Sequence, residues 1–244
     1  MKMNDLSATC CDSKLGRASN MLPAVILAAI LSLSMAASGL PLFSSLFVFG
    51  DSLADTGNSA IVLGTLYGPG AARSSTPIPA ADFIPDYPYT SNRYSNGPVW
   101  TEQFASSLGL SAQPSLMGGT DFAFGGARMG PLFSSFPYSV SDQLASFLSA
   151  LSANGDVAPA SALYVVQGGG NDVRDIVAGG GDPSALVSAY VASTIGILSE
   201  LKSAGAYNIL FANIPDIGKA PAIQALGPDA VFGASMLVTE RPGL

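Results

Sequence analysis

From about Ser44 the chain alternates between two kinds of apolar pattern. Leu46-Phe47-Val48-Phe49 is a short continuous apolar run closed by Gly50-Asp51. Ala162 to Val166 (ALYVV) and Tyr207 to Ala212 (YNILFA) are built the same way, the first followed by Gly168-Gly169-Gly170 and the second by Asn213-Ile214-Pro215. Unbroken apolar runs of this length, bounded by turn residues, predict strands buried on both faces, as in a parallel sheet covered by helices. Between them the apolar positions fall at helical spacing. Val99, Trp100, Phe104 and Leu108 predict a helix over Pro98 to Leu108 with Gly109 as its stop, and Leu144, Phe147, Leu148 and Leu151 predict one over Ser141 to Leu151 ended by Asn154-Gly155. A further helix starts near Val173 with Asp172 as a candidate cap, and a long one runs from about Pro183 to Ser203 before Gly205. Gly64 to Gly97, rich in Pro, Gly, Ser and Thr, reads as a long surface loop, and Gly233 to Leu244 shows no clear period. Strand and helix in alternation predict an α/β domain with helices on both faces of a parallel sheet, whose sites lie beyond the carboxyl ends of the strands.

The first part of the chain departs from this pattern. Lys2, Lys14 and Arg17 precede an apolar run from Met21 to Ala37, which ends in Ala36-Ala37-Ser38-Gly39. Basic, apolar, then small residues is the order of a signal peptide, so residues 1–38 are expected to be a secretory signal and 44–244 the folded domain. The alternative is an uncleaved anchor, but the run is near the lower length limit for spanning a bilayer and contains Ser32 and Ser34. Cys10 and Cys11, the two cysteines of the 244 residues, precede the run and would leave with it, so packing alone must hold the domain. Cleavage implies export to the cell envelope or beyond, with membrane contact only through this segment. The domain is large enough for a full core. The net charge of −7 and scattered basic residues disfavour nucleic acid as a partner.

Polar residues gather after the three apolar runs. After the first, Gly50-Asp51-Ser52-Leu53-Ala54-Asp55-Thr56-Gly57-Asn58 puts Ser52 on a tight turn where glycine allows a sharp exit. A serine in that place is a candidate nucleophile, but serines after strands are more often turn or helix-cap residues. In Asp121-Phe122-Ala123-Phe124-Gly125-Gly126-Ala127-Arg128, Gly126 can offer its N–H to an anion unhindered by a side chain, or can simply be a close-packed turn. In Gly169-Gly170-Asn171-Asp172, Asn171 offers a carboxamide donor. A phosphate loop is disfavoured because no Lys-Ser/Thr follows the glycines. Two backbone N–H groups with a side-chain amide are what a tetrahedral acyl-transfer intermediate requires.

Taken together, these three segments resemble the first three sequence blocks of the GDSL (SGNH) hydrolase family. Gly50-Asp51-Ser52-Leu53 is the GDSL signature itself. Arg93-Tyr94-Ser95-Asn96-Gly97-Pro98-Val99-Trp100 and Ile214-Pro215-Asp216-Ile217-Gly218 resemble further family segments, and the resemblance runs from about Phe47 to Pro221. It is closest in wording to secreted, autotransporter-type and plant-type lipases and esterases. It implies a three-layer α/β/α sandwich with a parallel, flavodoxin-like sheet, and hydrolysis of carboxylic esters of lipids or small acyl groups without a cofactor or metal. By the same resemblance Ser52 is nucleophile and first oxyanion donor, Gly126 the second donor and Asn171 the third. Asp51 and Asp172 hold turns, and Arg93 and Asn96 secure the loop.

One expected part is absent. The family's base lies in a C-terminal Asp-x-x-His block, and this sequence has no histidine. A serine hydroxyl is a weak nucleophile without a base. Lys202 and Lys219 are not placed as substitutes. The expectation is therefore a domain incomplete at its C-terminus, the product of a truncated or frameshifted gene, with low activity and an exposed sheet edge. A second reading is a non-catalytic secreted lipid- or carbohydrate-binding protein that kept the pocket and lost the base.

Overall fold

A computed structural model of the chain describes residues 42–67, 87–131, 136–179 and 182–239. The predicted signal segment, both cysteines and residues 68–86 of the predicted loop lie outside the described residues. Three parallel strands, β1 (Leu46–Phe49), β2 (Leu163–Gln167) and β3 (Asn208–Ala212), lie in the spatial order β1-β2-β3. Leu46 pairs with Leu163 and Leu163 with Asn208, so each predicted apolar run is a strand: β1 has the expected bounds, β2 and β3 each start one residue later, and β2 extends to Gln167.

The side-chain alternation of the strands makes two cores. Phe47, Phe49, Tyr164 and Val166 face one side and pack with Ala127, Met129, Leu144, Phe147, Ile197 and Leu201. Leu46, Val48, Leu163 and Val165 face the other, against Ala105, Trp100, Phe104 and Leu108. The period of two in a strand puts neighbours on opposite faces, and burial of both sets is why the runs carry no polar alternation. The first face is covered by helices α3 (Val140–Asn154) and α5 (Pro183–Ser203), the second by α2 (Trp100–Ser107). This is the expected α/β/α layering. By length and composition α5 could also cross a bilayer, with mean hydropathy 1.4. Its Ile197 and Leu201, however, are buried in the sheet core, where a sandwich helix would put them.

The helices end where the local chemistry stops them. Ser139 Oγ accepts the Asp142 N–H at 3.1 Å while Asp142 Oδ2 accepts the Ser139 N–H at 3.0 Å, a reciprocal cap on α3. Gly155, at φ +70°, closes its other end. Pro183 at the first turn of α5 follows Asp182, whose side chain accepts the Ser184 N–H.

Four expectations are corrected. Helix α1 (Asn58–Tyr67) occupies the first residues of the predicted loop from Gly64. Helix α4 (Gly170–Val177) begins before Asp172 rather than after it, so Asp172 lies within the first turn. The described part of the tail without a clear period, 233–239, is helical: after a 3₁₀ turn (Ile217–Lys219) and the short α6 (Pro221–Gln224), α7 spans Pro228–Thr239. It packs Ala234, Val231 and Leu237 on Val173, Ile214, Ile217 and Ile223, a third small core. Asn96 is exposed and makes no hydrogen bond among the described residues, whereas Arg93 does secure its loop, with Nε and Nη2 both 2.6 Å from Glu102.

Candidate active site

The turn after β1 is a single turn of helix. The Asp51 carbonyl accepts the N–H groups of both Ala54 and Asp55 at 3.0 Å, and Asp51 Oδ1 accepts the Leu53 N–H at 3.0 Å. Asp51 is thus an N-cap and Ser52 the first residue inside the turn. The first N–H groups of a helical turn have no carbonyl behind them. Asp51 uses one of these, and the Ser52 N–H donates to nothing among the described residues. Ser52 itself is half-buried, and its hydroxyl likewise has no partner among them.

Gly50, just before this turn, is gripped by a residue whose role was not anticipated. Gln143 of α3, 1% exposed, accepts the Gly50 N–H at 2.8 Å and donates to the Gly50 carbonyl at 2.9 Å. An amide in the middle of an apolar helical stripe was the only sequence signal for it.

The second segment runs parallel to β1 as a fragment of strand. Val48 N–H donates to Thr120, Phe122 N–H to Val48 and Phe124 N–H to Gly50. It ends in a turn closed by Ala127 N–H on the Phe124 carbonyl at 3.2 Å, with Gly126 at φ +81°. Positive φ at the third residue is the type II arrangement, which favours glycine. A Cβ at Gly126 would also stand 3.3 Å from Pro137 Cγ. The Gly126 N–H, on the central peptide of this turn, donates to nothing among the described residues.

Asn171 lies in the first turn of α4, 7% exposed. Its Nδ2 donates to the Ala127 carbonyl at 2.8 Å and its Oδ1 accepts from Arg174 Nη1 at 3.2 Å. Nδ2 has two hydrogens, and the second is unspent among the described residues.

Hydrogen bonds connect the three segments in a closed ring. Phe124 N–H reaches Gly50, and Gly125 N–H reaches Asp55 Oδ2 at 3.0 Å and Ser59 Oγ at 2.8 Å. Asn171 reaches Ala127, and Asp172 accepts the Met129 N–H at 3.2 Å. Gln167 Nε2, at the end of β2, returns to Asp51 Oδ1 at 2.9 Å. The structure thus brings together the turns bearing Ser52, Gly126 and Asn171.

Asp55 and Asn58, to which the sequence reading assigned no role, brace this ring. Asp55 also accepts the Gly57 and Ser59 N–H groups, and Asn58 Nδ2 donates to the carbonyls of Asp121 and Ala123. Burial pushes the carboxyls of Asp51, Asp55 and Asp121 upward, Asp121 well above the usual range, against the pull of the N–H groups they accept. Asp172 is raised to about 6, chiefly by burial, with the Met129 N–H and Arg128 opposing.

Among the described residues no cluster of three or more His, Cys, Asp or Glu could hold a metal ion. A cleft of about 460 Å³ beside α1, lined by Thr56, Gly57, Ala60, Ile61, Asn92 and Arg93, includes none of the three candidate residues. The arrangement offers, on turns joined by hydrogen bonds, a serine hydroxyl and N–H groups that have no acceptor among the described residues.

Known proteins resemble the chain as follows. It is 26% identical over 196 residues to Lipase 1 of Photorhabdus luminescens, a match covering 80% of this chain and 26% of that protein. The chain therefore spans about a quarter of the length of this curated relative. The crystal structure of TesA matches with 18% identity and a TM-score of 0.28, over 79% of this chain and 73% of that one. The family model of the GDSL-like lipases/acylhydrolases matches residues 46–238, extending the likeness through α7 and past the Pro221 limit expected from the sequence. With its strands, turns and closing helix all inside that match, the chain belongs to the GDSL-like lipase/acylhydrolase family.

Proposed function

We propose that this domain is the acyl-transfer part of a secreted carboxylic ester hydrolase, acting on lipid or small acyl esters. Ser52 is its nucleophile, and the Ser52 N–H, the Gly126 N–H and Asn171 Nδ2 are its oxyanion donors. The observation that carries this is the pair of backbone N–H groups that have no acceptors among the described residues, on turns that hydrogen bonds tie together. Both residues, Ser52 and Gly126, are half-buried, and donors kept free in a braced site suit a charge that exists only in the transition state.

In the reaction Ser52 Oγ attacks the ester carbonyl carbon and loses its proton to a base. The carbonyl oxygen becomes the oxyanion held by the three donors. Collapse expels the alcohol, which takes up a proton, and leaves an ester on Ser52. Water then attacks that ester, releasing the acid and restoring the hydroxyl. Asp172 and Asp51 act on turns, not on substrate.

No histidine is present to take the serine proton. With the base missing, a triad enzyme keeps only about 10³- to 10⁴-fold catalysis over water, from its oxyanion hole and binding. This chain is therefore expected to be slow. The missing base also favours a second reading, a binding protein that keeps the pocket without turnover.

Release of p-nitrophenol from p-nitrophenyl butyrate separates the two. The experiment compares this chain, its Ser52→Ala variant, and a version joined to a C-terminal segment supplying Asp-x-x-His. The esterase reading expects slow release that Ser52→Ala abolishes, and release several orders of magnitude faster in the extended protein. If the extended protein is inert and Ser52→Ala changes nothing, the binding reading stands instead.

A further inference from the structure

The proposed oxyanion donors come from two elements, the turn at Gly126 and helix α4, so their spacing depends on what joins these elements. Arg128 makes that join. Its Nη1 donates to the Gly126 carbonyl at 2.7 Å, while Nε and Nη2 bond Asp175 Oδ2 at 2.9 Å and Oδ1 at 2.7 Å. Asp175 lies four residues after Asn171 on α4, one helical turn along the same face. Asn171 and Asp172 hold the next groups of the same turn, the Ala127 carbonyl and the Met129 N–H. Three points of the segment from Gly126 to Met129 are thereby pinned to one helix.

We propose that Arg128, through Asp175, is a positioning residue that fixes the Gly126 N–H relative to the Asn171 carboxamide. This rests on the oxyanion reading given above. The physical case concerns the freedom of the Gly125-Gly126 peptide. Two adjacent glycines carry no Cβ to restrict it, and the pair is free to turn its central N–H through a wide range. Here the groups on both sides are held. Gly125 N–H is bonded to Asp55 and Ser59, and the Gly126 carbonyl to Arg128. With both flanking groups fixed, the central peptide loses its continuous freedom and is retained with Gly126 at φ +81° and its N–H unspent.

Only a planar fork can do this. The guanidinium meets a carboxylate with two donors and has a third left for a carbonyl. Lysine, a single point charge, cannot span Asp175 and Gly126 in the same geometry. Both partners are partly exposed, with side chains 24% and 29% accessible, so the pair contributes little to overall stability and chiefly sets local geometry.

The test compares the wild-type chain with Arg128→Met, Arg128→Lys and Asp175→Asn. The first readout is the rate at which intact-mass spectrometry detects acylation of Ser52 by p-nitrophenyl acetate and by its thiono analogue, whose sulfur accepts hydrogen bonds poorly. Wild type should favour the oxygen ester strongly. The variants should acylate about 10- to 100-fold more slowly with the oxygen ester, as expected for donors displaced by about 1 Å. They should change little with the thiono ester, and lysine should not rescue. The second readout needs no chemistry: the Gly126 amide resonance should be a single sharp signal in wild type and broadened by exchange in the variants. Equal slowing with both esters, or an unchanged Gly126 resonance, would overturn the role of Arg128. If wild type and Ser52→Ala acylate alike, the esterase reading itself fails and takes the Arg128 role with it.

Discussion

At Gln143 the apolar side of α3 carries an amide that is almost completely buried, and both ends of that amide are spent on Gly50. Replacing it by methionine, which has similar bulk, leaves the buried Gly50 N–H without a partner, at about 1–3 kcal/mol, while the Gly50 carbonyl keeps the Phe124 N–H. Gln143→Met should therefore lose about 1–3 kcal/mol in urea unfolding with an unchanged m-value; no measurable loss would show that the Gly50 N–H finds another partner. Asp172 supports a pH prediction. Its folded value of about 6 lies above its ordinary value of 3.8. Between those two values the folded state binds the proton more tightly than the unfolded chain, so stability falls as pH rises from about 4 to about 6 and this contribution is flat above. Asp172→Asn keeps an oxygen for the Met129 N–H and removes the titration. Its melting temperature should decline less over pH 4 to 6 than that of wild type, while Asp51, Asp55 and Asp121, raised in the same direction, keep some slope in both. Parallel slopes would contradict the assignment. Ser52, Gly126 and Asn171 could be picked out in the sequence because each lies in a glycine-containing segment that follows an apolar run. Gln143, Asp55, Asn58 and Arg128 could not, because their partners lie tens of residues away in the chain.

At the level of elements, caps decide much of what holds the site in place. The reciprocal pair of Ser139 and Asp142 starts α3 one turn before Gln143. Ser139→Ala should cost about 0.5–2 kcal/mol, measured by thermal or urea unfolding, and because α3 also carries the clamp on Gly50, hydrogen exchange at the Gly50 amide should rise with it. If exchange at Gly50 stayed at the wild-type rate, cap and clamp would be independent. The legibility of the elements follows the same logic. Helix α3 is legible from Leu144, Phe147, Leu148 and Leu151 ahead of Gly155, and α5 from Pro183 and Gly205, whereas the starting caps Ser139 and Asp182 emerge only in the structure. Helix α1 is hidden because Asp55 and Asn58 at its start are held by long-range bonds to the Gly125 N–H and the Asp121 carbonyl and because it carries Gly64 inside it. Helix α7 is apolar on most sides and interrupted by Gly233, so it shows no stripe, and its helical face is defined by the separate core it makes with Ile217 and Ile223.

For the molecule as a whole, the two faces of the sheet are not equally covered. Ile209 and Phe211 of β3 pack into the α3–α5 core, but Leu210, on the other face, is 39% exposed, and Ile195 of α5 and Phe232 of α7 are 60% and 69% exposed. Among the described residues β3 pairs only with β2, which leaves an open edge beside apolar surface, a combination that promotes association. Leu210→Lys should lower the association seen by light scattering at raised protein concentration and leave the melting temperature within about 2 °C. An unchanged scattering profile would place the association elsewhere. The local sequence determined the strands, the two longest helices and the three strand-tip residues, because burial on both strand faces and helix capping each write a short-range pattern. Only the tertiary structure decided that β1 and β2 lie side by side, that the Gly126 turn is pinned to α4, and that the Ser52 and Gly126 N–H groups have no acceptors among the described residues. Those facts depend on pairings between residues far apart in the chain, and no local pattern encodes which distant partner a buried amide will find.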